Sequence, residues 1–184
     1  RDDVVVQRQR ERQERQWRDQ RERQWRDQWQ NRQRLAQERE RYLQQQRRIA
    51  QYRYQQRYYE RLRQDQIRLA NARAYTYYAP SYRYYRGGSY YDVNQYAVAQ
   101  LRQAARYGYE EGVRAGQADR QDGYRFNPQD SFAYQDAAYG YDSYNVDLSE
   151  YNYYFREGFR RGYEDGYNSR WQYGSYSNGA FSLL

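Results

Sequence analysis

Tyr109-Glu110-Glu111-Gly112-Val113-Arg114-Ala115-Gly116-Gln117-Ala118-Asp119 returns 46 residues later as Phe155-Arg156-Glu157-Gly158-Phe159-Arg160-Arg161-Gly162-Tyr163-Glu164-Asp165. The shared pattern is aromatic-x-Glu-Gly-apolar-Arg-x-Gly-x-x-Asp. Each copy belongs to a run of three glycines spaced by four: Gly108, Gly112, Gly116 and Gly158, Gly162, Gly166. A glycine at every fourth position lies along one side of a helix. Each costs about 1 kcal/mol relative to alanine in a helix interior, or roughly 6 kcal/mol for the six. A compensating gain is required, and close backbone approach between two packed helices supplies one. The repeat therefore predicts two helices packed through their glycines, and it points to architecture rather than chemistry.

The flanking residues set their limits. Asp92 with Gln95, and Asp147 with Glu150, have the spacing of capping boxes. They predict helices over about 93–120 and 148–168. Between them, 121–146 reads as a long tyrosine-rich loop with a short helix near 131–138. An antiparallel pair is the expected arrangement. The 26-residue connection is long for a simple hairpin, which leaves room for exchange of helices between copies. Gly-x-x-x-Gly also marks membrane helix pairs. Here that reading would place Glu110, Glu111, Arg114, Glu157, Arg160, Arg161, Glu164 and Asp165 in hydrocarbon.

Upstream, residues 1–76 contain no Gly or Pro and are dominated by good helix formers. They read as one helical arm, helical from about residue 4 and roughly 105 Å long at the α-helical rise. Glu14-Arg15-Gln16-Trp17-Arg18-Asp19-Gln20 returns as Glu22-Arg23-Gln24-Trp25-Arg26-Asp27-Gln28. Apolar pairs then recur every seven residues at Leu35-Ala36, Tyr42-Leu43 and Ile49-Ala50, which is a short coiled-coil-like seam. Trp17, Trp25 and Trp29, with Leu35, Tyr42, Leu43 and Ile49, are expected to be covered by another chain. The rest divides into a Tyr/Gly linker over 77–92, the glycine-helix module over 93–170 and a Gly/Ser/Tyr tail over 171–184. The tail has an apolar end and reads as a strand or a docking peptide. The fold class expected is mainly α.

Composition narrows the chemistry. The chain of 184 residues has no Cys, Met, His or Lys, and 28 tyrosines stand where aliphatic residues are scarce. Burial must come from tyrosine rings, each bringing a hydroxyl that needs a partner. Usual bases and nucleophiles reduce to carboxylates, Ser and Tyr, so an enzyme is not expected and no cofactor is implied. Asp119, Asp122 and Asp130, and Asp142, Asn145 and Asp147, cluster without the spacing of a calcium loop. No stretch is long and apolar enough to span a membrane. A start at Arg1 fits a mature exported chain or a truncated one, and a secreted or cell-surface location is expected.

Charge is divided. Residues 1–76 carry 21 Arg against 11 acids, and residues 77–184 carry 11 Arg against 13 acids. A basic arm of this kind could bind a glycan, nucleic acid or another anionic polymer. It could equally lie on the acidic groups of a sister copy. Self-assembly into a filament or scaffold, with copies of itself as partners, is the leading expectation. Capture of an anionic polymer by the arm is the alternative.

The run Glu157-Gly158-Phe159-Arg160-Arg161-Gly162-Tyr163-Glu164-Asp165-Gly166-Tyr167 resembles a group of uncharacterised exported bacterial proteins rich in Tyr, Arg and Gly. The resemblance covers roughly residues 93–170 and implies a secreted or cell-envelope setting. It carries no activity and no site residues.

Overall fold

The longest interface of the protein joins the two glycine-bearing helices, and its direction follows from which residues meet. In the computed structural model, which describes residues 2–70, 81–142 and 145–183, these are α3 (Ala97–Gln121) and α5 (Leu148–Asn168). Gly108, Gly112 and Gly116 face the main chain of Phe155, Phe159 and Tyr163 in turn. Gly158, Gly162 and Gly166 face Ala105, Tyr109 and Val113. Numbers rise together on both helices, so the pair is parallel. The expected antiparallel pair is thus corrected. A parallel pair must return the chain along a full helix length, which accounts for the long connection. Among its described residues that connection carries a 3-10 turn (Pro128–Asp130) and the short α4 (Phe132–Asp136).

The approach is close enough to exclude any side chain. A Cβ on Gly112 would stand 2.9 Å from the carbonyl carbon of Phe159, and one on Gly162 would stand 2.8 Å from that of Tyr109. Real Cβ atoms do not reach backbone that closely, so glycine is the residue these positions accept.

Around this pair the core is largely aromatic. Tyr54, Tyr58, Tyr109, Tyr141, Tyr151 and Tyr163 are fully buried beside Phe132, Phe155 and Phe159. All six hydroxyls donate. Tyr54 reaches Glu111, Tyr58 reaches Asp136, Tyr109 reaches Asp165 and Tyr163 reaches Asp119. Tyr141 and Tyr151 reach the carbonyls of Val146 and Tyr139. Ring burial supplies the area, and each hydroxyl escapes the penalty of an unpaired buried donor.

The arm is not one helix. α1 (Asp2–Gln45) and α2 (Ile49–Ala70) are separated by a reversal at 46–48, where Arg47 has φ 54°. Arg48 N–H donates to the Leu43 carbonyl at 3.0 Å and Arg47 N–H to Gln44 at 3.1 Å. That is the pairing of a Schellman turn, with arginine where glycine usually stands. No Gly or Pro announces it. The compensation comes from a distant part of the chain: Asp122, just beyond α3, accepts from Ala50 N–H and Gln51 N–H at 2.8 Å each. A carboxylate there satisfies orphan donors at the start of α2 and complements its dipole. The two helices then run antiparallel. Trp25 Nε1 donates to Gln66 at 2.8 Å, Gln55 to the Ala36 carbonyl at 2.9 Å and Tyr52 to Glu40 at 3.0 Å. Residues 71–76 of the expected arm and 77–80 of the expected linker lie outside the described residues.

Two β-hairpins complete the fold among the described residues. β1 (Tyr82–Arg86) pairs antiparallel with β2 (Ser89–Val93), and β3 (Gly174–Ser177) with β4 (Ala180–Leu183). The first occupies most of the stretch read as linker. Its Gly87-Gly88 turn, and the Asn178-Gly179 turn of the second, have positive φ at both central residues, as two-residue hairpin turns require. Asp92 does not cap α3; it lies in β2, paired with Arg83 at 2.6 Å. Asn94 Oδ1 accepts from Tyr96 N–H and Ala97 N–H instead. Asp147 occupies the N-cap position of α5, while Glu150 is turned to Tyr84 and Arg86.

Candidate functional site

The basic arm meets the acidic module within one chain, through arginines on α1, the reversal and α2. Arg32 forks onto Asp136, with Nη2 to Oδ2 at 3.1 Å, and lies over the rings of Trp25 and Trp29. Arg39 and Arg48 share Asp130, Arg48 also binds Asp119 at 2.7 Å, and Arg61 takes Glu111 through two nitrogens at 2.9 and 2.6 Å. A fifth arginine, Arg86, pairs with Glu150 and fixes β1 to the first turn of α5. Planar guanidinium groups suit such two-pronged contacts. Burial pushes Asp119 upward more than Arg48 and Tyr163 pull it down. At Asp130 burial acts in the same direction, but the hydrogen bonds and charges of Arg39 and Arg48 outweigh it and hold the carboxyl below its usual range.

Arginines on the outer side of the helical hairpin remain. Arg34, Arg41, Arg47, Arg53 and Arg57 are exposed and have no ion pair among the described residues. The groove between α1 and α2 is walled by Gln33, Gln37, Gln55 and Gln56, with the carboxylate of Glu40 among them.

A second candidate surface is aromatic. Tyr176 and Phe181 of the β3–β4 hairpin form one ring cluster with Trp171, which precedes β3, and the Tyr176 and Phe181 centroids are 4.8 Å apart. Trp171 and Tyr176 are 46% and 53% exposed. On β1–β2, Tyr85 and Tyr90 face each other across the strands and are exposed. Among the described residues each sheet has two strands, and no further strand pairs with the outer edges of either. The hairpins lie against different parts of the body. β1–β2 is held at the start of α5 by Glu150. The segment leading to β3 is strapped at the end of α5 by Asp165, which accepts from Gln172 N–H and Tyr173 N–H at 3.0 Å.

The residues singled out in the sequence fall into separate groups. All six glycines lie at the α3–α5 contact. Trp25, Trp29 and Leu35 pack on the core of their own chain, and Leu43 is fully buried. Within the chain α2 folds back along α1, where Gln66 accepts from Trp25 and Tyr59 stacks on Trp29. Tyr42 is half-buried beneath Arg39. Ile49 opens α2 and is 57% exposed, outside the seam. Trp17 lies where α1 passes the start of α5. The acids that invited a calcium reading have protein partners: Asp119 and Asp130 bind arginine, Asp122 caps α2, and Asp142 accepts from Asn145. No group of three or more acids is arranged to hold a metal ion among the described residues. Sequence reasoning missed the hairpin aromatics, although Gly87-Gly88 and Asn178-Gly179 between tyrosine-rich runs are hairpin signals.

No helix among the described residues is long and apolar enough to cross a membrane. No family model, curated protein or solved structure matches the chain.

Proposed function

We propose that the chain is a structural, self-assembling protein of an extracellular or cell-envelope scaffold, and that copies join through the two aromatic hairpins. The observation that carries this reading is the pair of two-stranded sheets, with outer edges unpaired among the described residues and exposed Trp171, Tyr176, Tyr85 and Tyr90. Open strand edges template further pairing, and rigid aromatic side chains are the usual anchors of protein interfaces. Two different hairpins at separate places on one body favour a head-to-tail contact, which closes a ring or grows a filament.

Electron microscopy and sedimentation of the purified chain, beside Trp171→Ser/Tyr176→Ser, test it. Regular assemblies that the variant fails to form are expected. Monodisperse monomer for the parent chain, or identical assemblies in the variant, would overturn the reading.

The five unpaired arginines favour a second reading, capture of an anionic polymer by the helical hairpin. It requires binding to a sulfated glycan or single-stranded nucleic acid that weakens steeply with salt. Binding should be lost in Arg34→Gln/Arg41→Gln/Arg53→Gln/Arg57→Gln.

A further inference from the structure

A cleft of about 390 Å³ opens between α1 and the first turn of α5. From α1 come Trp17, Gln20 and Gln24, three or four residues apart and therefore on one face. From α5 come Leu148, Ser149 and Asn152, with Asp147 at its rim.

The chemistry of this lining is specific. Trp17, half-buried, and Leu148 supply apolar surface. Gln20, Gln24 and Asn152 supply three carboxamides and Ser149 a hydroxyl, all groups that both donate and accept. None of these four side chains hydrogen-bonds another described group. Asn152 is the most telling. Its Oδ1 is enclosed with no partner, and an unpaired buried acceptor costs about 1–3 kcal/mol. The charge is equally informative. Among arginine-rich surroundings the lining contains no cation, and its one ionisable group is the carboxyl of Asp147.

A ligand for such a site needs an apolar face, a rim of hydroxyls that donate and accept in adjacent pairs, and no negative charge. A pyranose ring has these features: its C–H face lies on an aromatic plane, and neighbouring hydroxyls match a carboxamide. We propose that this cleft is a binding site for a neutral saccharide. The site is independent of the aromatic hairpins and of the exposed arginines, so it stands or falls separately from the assembly reading.

The test uses the full chain with soluble neutral oligosaccharides derived from cellulose, chitin, xylan and mannan, followed by calorimetry and tryptophan fluorescence. At least one should bind, with affinity unchanged by added salt. Trp17→Ala and Asn152→Ala should each weaken it by about tenfold or more, the scale of losing one well-placed contact. Gln24→Ala, an exposed position that leaves the core intact, should weaken it as well. Circular dichroism confirms that each variant is folded. The proposal is overturned if none of these sugars binds, if binding weakens steeply with added salt, or if the three variants bind like the parent.

Discussion

Arg48 Nη2 and Asp119 Oδ1 lie 2.7 Å apart, although 71 residues separate them in the chain. Arg48 stands at the reversal between α1 and α2, and Asp119 in the last turns of α3. The same guanidinium binds Asp130 at 2.7 Å and covers the ring of Tyr124. One side chain thus ties the arm to the module. Arg48→Met leaves Asp119 and Asp130 in place without this cation. Breaking a buried pair from one side costs about 3–5 kcal/mol, and the urea midpoint should fall accordingly. Arg48→Met/Asp119→Asn should recover part of the loss, because the uncompensated charge at that site is gone. A loss below about 1 kcal/mol in the single variant would class the contact with ordinary surface pairs.

The reversal at Arg47 makes a prediction of opposite sign from that of a straight arm. Left-handed backbone costs a non-glycine residue about 1–2 kcal/mol, so Arg47→Gly should raise the melting temperature. In an uninterrupted helix the same change would lower stability by about 1 kcal/mol. Asp122→Ala removes the carboxylate that receives Ala50 N–H and Gln51 N–H, and should cost about 1 kcal/mol. Thermal unfolding of the two variants checks both signs.

For the glycine contact, Gly162→Ala is the informative substitution. Helix propensity alone would make it stabilising by about 1 kcal/mol. Its Cβ would press on the main chain of Tyr109, and overpacking of this kind costs about 1–3 kcal/mol or more. Backbone cannot rotate away as a side chain does, so a net loss is expected, seen as a fall of several degrees in melting temperature. Gln117→Ala, exposed on α3, should change little. Equal melting temperatures for Gly162→Ala and the parent chain would show that the helices separate at no cost.

The tyrosine core predicts unfolding in alkali. Burial, foremost, raises the hydroxyls of Tyr54, Tyr58, Tyr109, Tyr151 and Tyr163 above the ordinary tyrosine value. Carboxylate partners or neighbours add to the shift. In the unfolded chain these groups lose protons near pH ~10, while the folded protein retains them. The unfolded state then binds fewer protons, so stability falls as pH rises, by about 1.4 kcal/mol per unit for each such group. Below pH ~10 this contribution is fully present. A pH titration should show the buried tyrosinate absorbance and the loss of helical circular dichroism in one cooperative step above that value. Tyrosinate absorbance complete before any loss of helix would contradict it.

Much of the α3–α5 contact was legible in the chain, because its signal is periodic and local. Gly108, Gly112 and Gly116 mark one face of α3 whatever packs there, and their repetition in Gly158, Gly162 and Gly166 names the partner. The direction of the pair was not legible, since glycine stripes fit together either way. The cap of α3 was misread for a related reason: Asp92 and Asn94 both suit a helix start, and only the β-hairpin assigns Asp92 to Arg83. The hairpin aromatics were overlooked because tyrosine is so abundant that Tyr85, Tyr90 and Tyr176 do not stand out by composition.

By itself the sequence determined a mainly helical chain whose core is built from tyrosine rings and whose two glycine helices pack together. Residue type and spacing are sufficient for those conclusions, since the energies involved act over one or two helical turns. Tertiary structure decided that the arm folds back at Arg47, that α3 and α5 are parallel, and that Arg32, Arg39, Arg48 and Arg61 find acids in their own chain. Each depends on groups far apart in sequence, such as Asp122 at the start of α2 and Asp119 beside Arg48. Their attraction exists only once the chain has brought them together.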